Sequence, residues 1–339
     1  MHIVYLFTNI RFDERMDNYP DLNIPLVKAR SPSFPQSLLI AMRPRQWTKN
    51  LIIFAAVLFG FRLEPEAWIS SMVAFSLFCF LSSSFYLLND VADVEADRLH
   101  PVKCKRPIAA GLVPVPVAIV TAILLLAGSL GFGFRYSIGL GFILSAYAAM
   151  QVAYNLKLKR TVILDVLAIS MGFVLRACAG GVASGVALSP WFLLCTAMLA
   201  LFLGVEKRKA ELRLCEKRGT PSRKVLERYS LNLLTRMESV VTTSALVCYA
   251  LWASGPVVKG APTVWMMLTL PFVLYGIFRY QLLSDPQEIT RRSQDRDNEE
   301  QTERPEEVLL NDRGILLTVL TWGISCLAIL WLQHGGILL

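Results

Sequence analysis

The feature that most constrains this chain is a series of long apolar runs separated by short polar stretches. A helix needs roughly 20 apolar residues to cross about 30 Å of hydrocarbon. Runs at or near that length lie at residues 49–63, 67–89, 114–133, 137–155, 162–184, 189–205, 238–256, 263–283 and 314–333. The first is short and extends backwards towards Trp47, with Pro44 early in the helix where a missing N–H is tolerated. Water is absent from a bilayer core, so each run must satisfy its own backbone hydrogen bonds as an α-helix. Composition agrees: 54% of residues are hydrophobic and 18% charged, with mean hydropathy +0.48, against about 25% charged residues in soluble domains. The expected class is an all-α polytopic membrane protein with about nine transmembrane helices.

The net charge of +8 is carried by the polar stretches. Arg98, Lys103, Lys105 and Arg106 follow the second run, Lys157, Lys159 and Arg160 the fourth, and ten Lys or Arg residues fall in 206–236 after the sixth. Stretches after odd-numbered runs hold almost none (Arg62, Arg135, Lys259). The positive-inside rule therefore predicts a cytoplasmic N-terminus, cytoplasmic segments 90–113 and 206–236, and an external C-terminus in the cell membrane. This charge reads as topology and anion binding, not as a nucleic-acid surface. Residues 1–35 read as a soluble tail without a secretory leader, and 284–312, rich in both charge signs, as a mobile connector within one membrane domain spanning 36–339. The three histidines are scattered and the seven cysteines form no CxxC pair, which argues against a zinc site.

At the end of the second run stand Asn89, Asp90, Asp93 and Asp97. On a continuous helix Asn89, Asp93 and Asp97, at i, i+4 and i+8, share one face. Converging oxygen ligands without His or Cys select Mg²⁺, with Mn²⁺ also suited, and Mg²⁺ is commonly held by one or two carboxylates plus substrate phosphates. The bland alternative is a solvated helix end, but acids oppose the dipole at a helix C-terminus. Lys103, Lys105 and Arg106 place cations beside the acids, a combination suited to a phosphorylated ligand. Within the fifth run Asp165 and Arg176 are costly ionisable groups in an apolar span. Eleven residues put them on one helix face but about 16 Å apart, so each needs its own partner.

The pattern Asn89-Asp90-x-x-Asp93-x-x-x-Asp97, followed by Lys105-Arg106-Pro107-Ile108, resembles the first Asp-rich motif of the UbiA-type intramembrane prenyltransferases, over residues 36–333. That resemblance implies helices arranged around a cytoplasm-facing polar cavity. The usual second motif, DxxxD after the sixth span, is missing, because 206–236 contains no Asp and opens Glu206-Lys207-Arg208-Lys209-Ala210-Glu211. With the segment from Met42 to Asn50, Tyr154-Asn155-Leu156-Lys157, Leu164-Asp165 and Phe173-Val174-Leu175-Arg176, the chain looks like the decaprenyl-phosphate phosphoribosyltransferase branch. The resemblance implies transfer of 5-phosphoribose from phosphoribosyl diphosphate (PRPP) to a polyprenyl phosphate, with membrane lipid as surroundings. It implies a metal held by Asn89, Asp90, Asp93 and Asp97, and catalytic roles for Asp93, Asp97, Lys207 and Arg208. Substrate contacts are expected from Arg43, Lys49, Lys103, Arg106, Tyr154, Lys159, Asp165, Arg176 and Glu211. Prenyl transfer from a prenyl diphosphate, and lipid or metabolite transport without chemistry, are the competing readings. A homo-oligomer is compatible with the sequence.

Overall fold

A computed structural model describes residues 33–100, 102–218, 225–285, 288 and 312–337. Most of the expected soluble tail and most of the expected connector lie outside the described residues. Every regular element among the described residues is helical. A short helix α1 (Phe34–Ala41) leads into a 3-10 segment (Pro44–Phe54) that runs directly into α2 (Ala55–Phe59). There follow α3 (Pro65–Ala92), α4 (Val94–Arg98), α5 (Val115–Tyr136), α6 (Ile138–Leu156), α7 (Leu164–Ser184) and α8 (Pro190–Arg218). The order closes with α9 (Leu231–Ala253), α10 (Leu270–Leu283, preceded by the 3-10 turn Val264–Thr269) and α11 (Arg313–His334).

Local chemistry sets the helix starts. Pro65 and Pro190 begin α3 and α8, where proline loses no intrahelical bond. Ser137, Ser230 and Asp312 cap α6, α9 and α11 by accepting from Leu140, Leu233 and Ile315 N–H groups. Among the described residues six helices are long and apolar enough to cross a membrane: Pro65–Ala92, Val115–Tyr136, Leu164–Ser184, Pro190–Cys215, Val264–Leu283 and Arg313–His334. The chain is a multi-pass membrane protein. The expected spans at 137–155 and 238–256 are the long helices α6 and α9, outside that set of six; Gln151 and Asn155 lower the apolarity of α6. The expected first span is eleven residues of 3-10 geometry and a five-residue α-helix.

The core has two main parts. Ile53, Phe78, Leu81, Leu144, Tyr147 and Ala179 join the 3-10 segment, α3, α6 and α7. Phe192, Tyr249, Trp252, Met266 and Leu330 join α8, α9, the 3-10 turn before α10, and α11. The most apolar 18 residues of α3 are 61% buried and those of α5 only 17%, so α3 is central and α5 presents most of its surface outward, towards lipid. The 3-10 segment sits tight on α7 because Gly180 has no side chain: a Cβ there would lie 2.0 Å from the Ile53 carbonyl oxygen.

Two expectations change. The 206–236 segment is not a loop at its start, since α8 continues without a break to Arg218. The acidic stretch is not one helix either: α3 ends at Ala92 and Asp93 (φ −98°, ψ 7°) separates it from α4. Asn89 and Asp97 therefore belong to different helices.

Candidate active site

A cavity of about 570 Å³ opens among the 3-10 segment, α3, α6, α7, α8 and α11. Its wall includes Lys49, Asn89, Tyr154 and Lys207, four of the residues expected from sequence, with Arg176 further in. Leu316 and Val319 of α11 complete one side, and both are also exposed outward, so this side is apolar and open.

Arg176 is 6% exposed yet faces this cavity. Its Nε donates to Asn50 Oδ1 at 2.6 Å and its Nη2 to Tyr147 OH at 2.8 Å, and Gln151 donates to the same phenol at 2.6 Å. The guanidinium carbon stands 4.9 Å from the Tyr147 ring centre and 5.4 Å from that of Phe173, within cation–π range. A Cβ on Gly172 would approach Arg176 Nη1 to 3.1 Å, so glycine leaves that nitrogen clear on the cavity side. No carboxylate faces Arg176 in these contacts; its neighbours are neutral. An arginine compensated only by dipoles and rings attracts an anion.

Asp165 has a separate set of partners. It is fully buried, accepts from Arg208 Nε at 2.7 Å on Oδ2 and from Tyr229 OH at 2.8 Å on Oδ1. Arg208, 2% exposed, also bonds Glu211 on the next turn of α8. Tyr229 OH in turn accepts the Ile163 N–H at 2.7 Å. Ile163 adopts φ +72°, unusual for a β-branched residue, and this bond helps hold it there. Burial, opposed by the Ile163 N–H and reinforced by the Asp165 carboxylate, pushes the Tyr229 phenol up to about 12. Next to this set, Lys209 bonds Glu206 at 2.9 Å and also Glu238, which accepts from Gln281 at 2.7 Å.

The residues expected on α8 are placed differently from one another. Arg208, expected to meet a phosphate, is buried between Asp165 and Glu211 and does not line the cavity. Asp165 and Glu211 are its counter-ions, not lining residues. Lys207 is the α8 cation on the cavity wall.

The acidic stretch is divided. Asp90 and Asp97 are each 3% exposed and share one arginine: Arg106 Nη1 lies 3.1 Å from Asp90 Oδ1 and 2.6 Å from Asp97 Oδ2. Arg43 Nη2 reaches the same Asp90 oxygen at 2.6 Å, its guanidinium 4.9 Å over the Tyr86 ring. Asp93 is exposed at the helix break, and Asn89 lies on the cavity wall. Among the described residues no three His, Cys, Asp or Glu side chains converge as a preformed metal site. The donors present, carboxylate and amide oxygens from one short stretch, fit a hard divalent cation that takes its remaining ligands from phosphate. Lys103 and Lys159 sit in the 3-10 turns Lys103–Lys105 and Leu158–Arg160, half-buried and off the cavity wall.

Sequence reasoning missed Asn50, Tyr147, Gln151 and Tyr229. Asn50 and Gln151 carried a usable signal, as polar side chains inside apolar runs. Tyr147 and Tyr229 looked like ordinary aromatics, and Tyr229 meets Asp165 from 64 residues away.

Residues 50–296 match the model of the UbiA prenyltransferase family. The chain is 39% identical over 298 residues to the decaprenyl-phosphate phosphoribosyltransferase of Mycolicibacterium smegmatis, covering 84% of this chain and 89% of that protein. It is 36% identical over 306 residues to the decaprenyl-phosphate phosphoribosyltransferase of Corynebacterium glutamicum, covering 87% of each. Its fold is similar to that of a UbiA homolog from Archaeoglobus fulgidus solved bound to GPP and Mg²⁺, with TM-score 0.59 and 18% identity over 86% of this chain and 99% of that one.

Proposed function

The chain belongs to the UbiA prenyltransferase family, and we propose that it moves 5-phosphoribose from PRPP to a polyprenyl phosphate, releasing diphosphate. The observation that carries this reading is the polar interior of the cavity, where Arg176 is held by Asn50 and Tyr147 with Gln151 behind. A prenyl tail placed there would desolvate a guanidinium and return nothing, at a cost of several kcal/mol. The 5-phosphate of a phosphosugar gives Arg176 Nη1 the anion it lacks. The relatives called decaprenyl-phosphate phosphoribosyltransferase support the same choice.

The donor enters with its diphosphate towards Asn89 and Asp93 and its 5-phosphate towards Arg176. Asn89, Asp90, Asp93 and Asp97 are the residues that would hold Mg²⁺. When bound, the ion supplies Lewis-acid neutralisation of the charge that builds on the departing diphosphate. Lys49 and Lys207 on the cavity wall, with Arg43 and Arg106 beside the acids, add positive charge around those oxygens. Tyr154 flanks the sugar from α6. Lys103 and Lys159 raise the positive potential at the entrance, and Asp165, Glu211 and Tyr229 hold Arg208, which keeps α8 in register so that Lys207 faces inward.

The lipid's phosphate oxygen attacks C1 of the ribose as the C1–diphosphate bond breaks, the carbon passing through an oxocarbenium-like state. A phosphate dianion is already nucleophilic near neutral pH, so no general base is needed. The protein's contribution is positioning and fixed charge. The open side at Leu316 and Val319 lets the polyprenyl tail remain in lipid. The charge pattern supports a cytoplasmic active site in the cell membrane, in one transmembrane catalytic unit over 36–339. Membranes containing the chain, incubated with labelled PRPP, Mg²⁺ and polyprenyl phosphate, should yield lipid-linked ribose phosphate. Label that stays water-soluble while a prenyl diphosphate is consumed refutes the proposal.

A further inference from the structure

We propose that Arg106 is a stand-in cation that closes Asp90 and Asp97 to a divalent metal until a diphosphate arrives, so that metal and diphosphate enter together. The inference rests on the reading of the acidic stretch as the metal site and not on which diphosphate is the donor. One atom, Arg106 Nη1, meets both carboxylates, at 3.1 Å and 2.6 Å. The guanidinium thus supplies Asp90 and Asp97 with the counter-charge that a divalent cation would supply in its place.

The exposures give the exchange its direction. The side chains of Asp90 and Asp97 are each 4% exposed, whereas Arg106 is 30% and Arg43 is 32% exposed. The carboxylates cannot be reached without moving a cation, but both cations can be reached by an incoming anion. The Arg106 backbone is fixed: its N–H donates to Lys103 O at 2.9 Å and its carbonyl accepts from Ala110 N at 2.8 Å. Pro107 and Ile108 follow, buried. Only the side chain has to swing.

Two buried carboxylates need a counter-charge, and the half-exposed guanidinium leaving them passes to water or, more favourably, to an incoming anion. A metal alone supplies the first and not the second, and it repels the arginine it displaces. A diphosphate completes the exchange, since its oxygens accept the forked guanidinium while also ligating the metal. Binding of the two is then coupled, and the coupling must be the same in both directions.

The test is Mn²⁺ binding followed by electron paramagnetic resonance on the purified full-length chain, with and without inorganic diphosphate. In the unaltered chain diphosphate should tighten Mn²⁺ binding by at least about tenfold. Arg106→Gln should bind Mn²⁺ alone about tenfold or more tighter than the unaltered chain, and lose most of the enhancement by diphosphate. Arg106→Lys keeps the charge but lacks the planar fork, so it should fall between the two; it serves as the readout if the glutamine variant does not elute as a monodisperse species. Mn²⁺ affinity that is unchanged or weaker in both variants overturns the role of Arg106 alone. An unaltered chain that binds no Mn²⁺ even with diphosphate overturns the metal site as well.

Discussion

Replacing Arg176 with methionine separates a phosphosugar donor from a prenyl donor in one step. The side chains have comparable length, so the cavity wall stays filled while the charge disappears. Two hydrogen bonds are lost, to Asn50 Oδ1 and to Tyr147 OH, but Tyr147 keeps its bond from Gln151. One buried acceptor is therefore orphaned, costing about 1–3 kcal/mol, and this is partly offset because a cation that is 6% exposed no longer has to be desolvated. Stability should change by no more than about 2 kcal/mol, seen as a small shift in the melting temperature of the purified protein. Binding should change far more. A hydrogen bond from a charged donor to phosphate is worth about 1.5–3 kcal/mol, and each 1.4 kcal/mol is tenfold, so KM for PRPP should rise about 10- to 150-fold. KM for polyprenyl phosphate should stay within about twofold, since its head approaches from the mouth. Initial rates with each substrate varied in turn measure both constants. A KM for PRPP within about threefold of the unaltered enzyme would refute the role of Arg176, and improved turnover of a prenyl diphosphate would refute the phosphosugar reading itself.

Asp93→Asn should lower turnover on the order of a hundredfold or more while the chain still inserts into membranes; full Mg²⁺-dependent activity would contradict the metal role of Asp93. Gly180→Ala puts a methyl group 2.0 Å from the Ile53 carbonyl oxygen, backbone that cannot step aside. It should destabilise the protein by about 1–3 kcal/mol, and an unchanged melting temperature would show that the 3-10 segment is not locked on α7. Tyr229→Phe removes the bonds to Asp165 and Ile163. Because the phenol titrates higher in the folded protein than its ordinary value near 10, its stabilising contribution is present below pH 10 and lost as pH rises towards about 12. The gap in thermal stability between the unaltered protein and this variant should therefore be constant across neutral pH and close only in strong alkali; a gap that varies between pH 6 and 9 would contradict the assignment.

Much of the architecture was legible without coordinates because it depends on one-dimensional quantities. Apolar run length specifies helices that cross a bilayer, and the acidic pattern at Asn89, Asp93 and Asp97 beside Arg106 points to a metal and a phosphorylated ligand. Asp165 and Arg176 stood out as costly charges in an apolar span, and their 16 Å separation correctly required separate partners. Who those partners are was not legible. Arg208 and Lys207 are neighbours in sequence, yet one is buried on Asp165 and the other faces the cavity, because consecutive residues on a helix point about 100° apart and only packing says which side is the inside. The break at Asp93 was equally hidden, since nothing in its neighbours forbids a continuous helix. Asn50 reaches Arg176 across 126 residues, and Tyr229 reaches Asp165 across 64. By itself the sequence determined that this is a helical membrane protein with an acidic and a basic element at one mouth. Tertiary structure alone decided which charges neutralise each other and which side chains line the cavity, because ion pairing acts over about 3 Å and depends on how helices distant in sequence are set side by side.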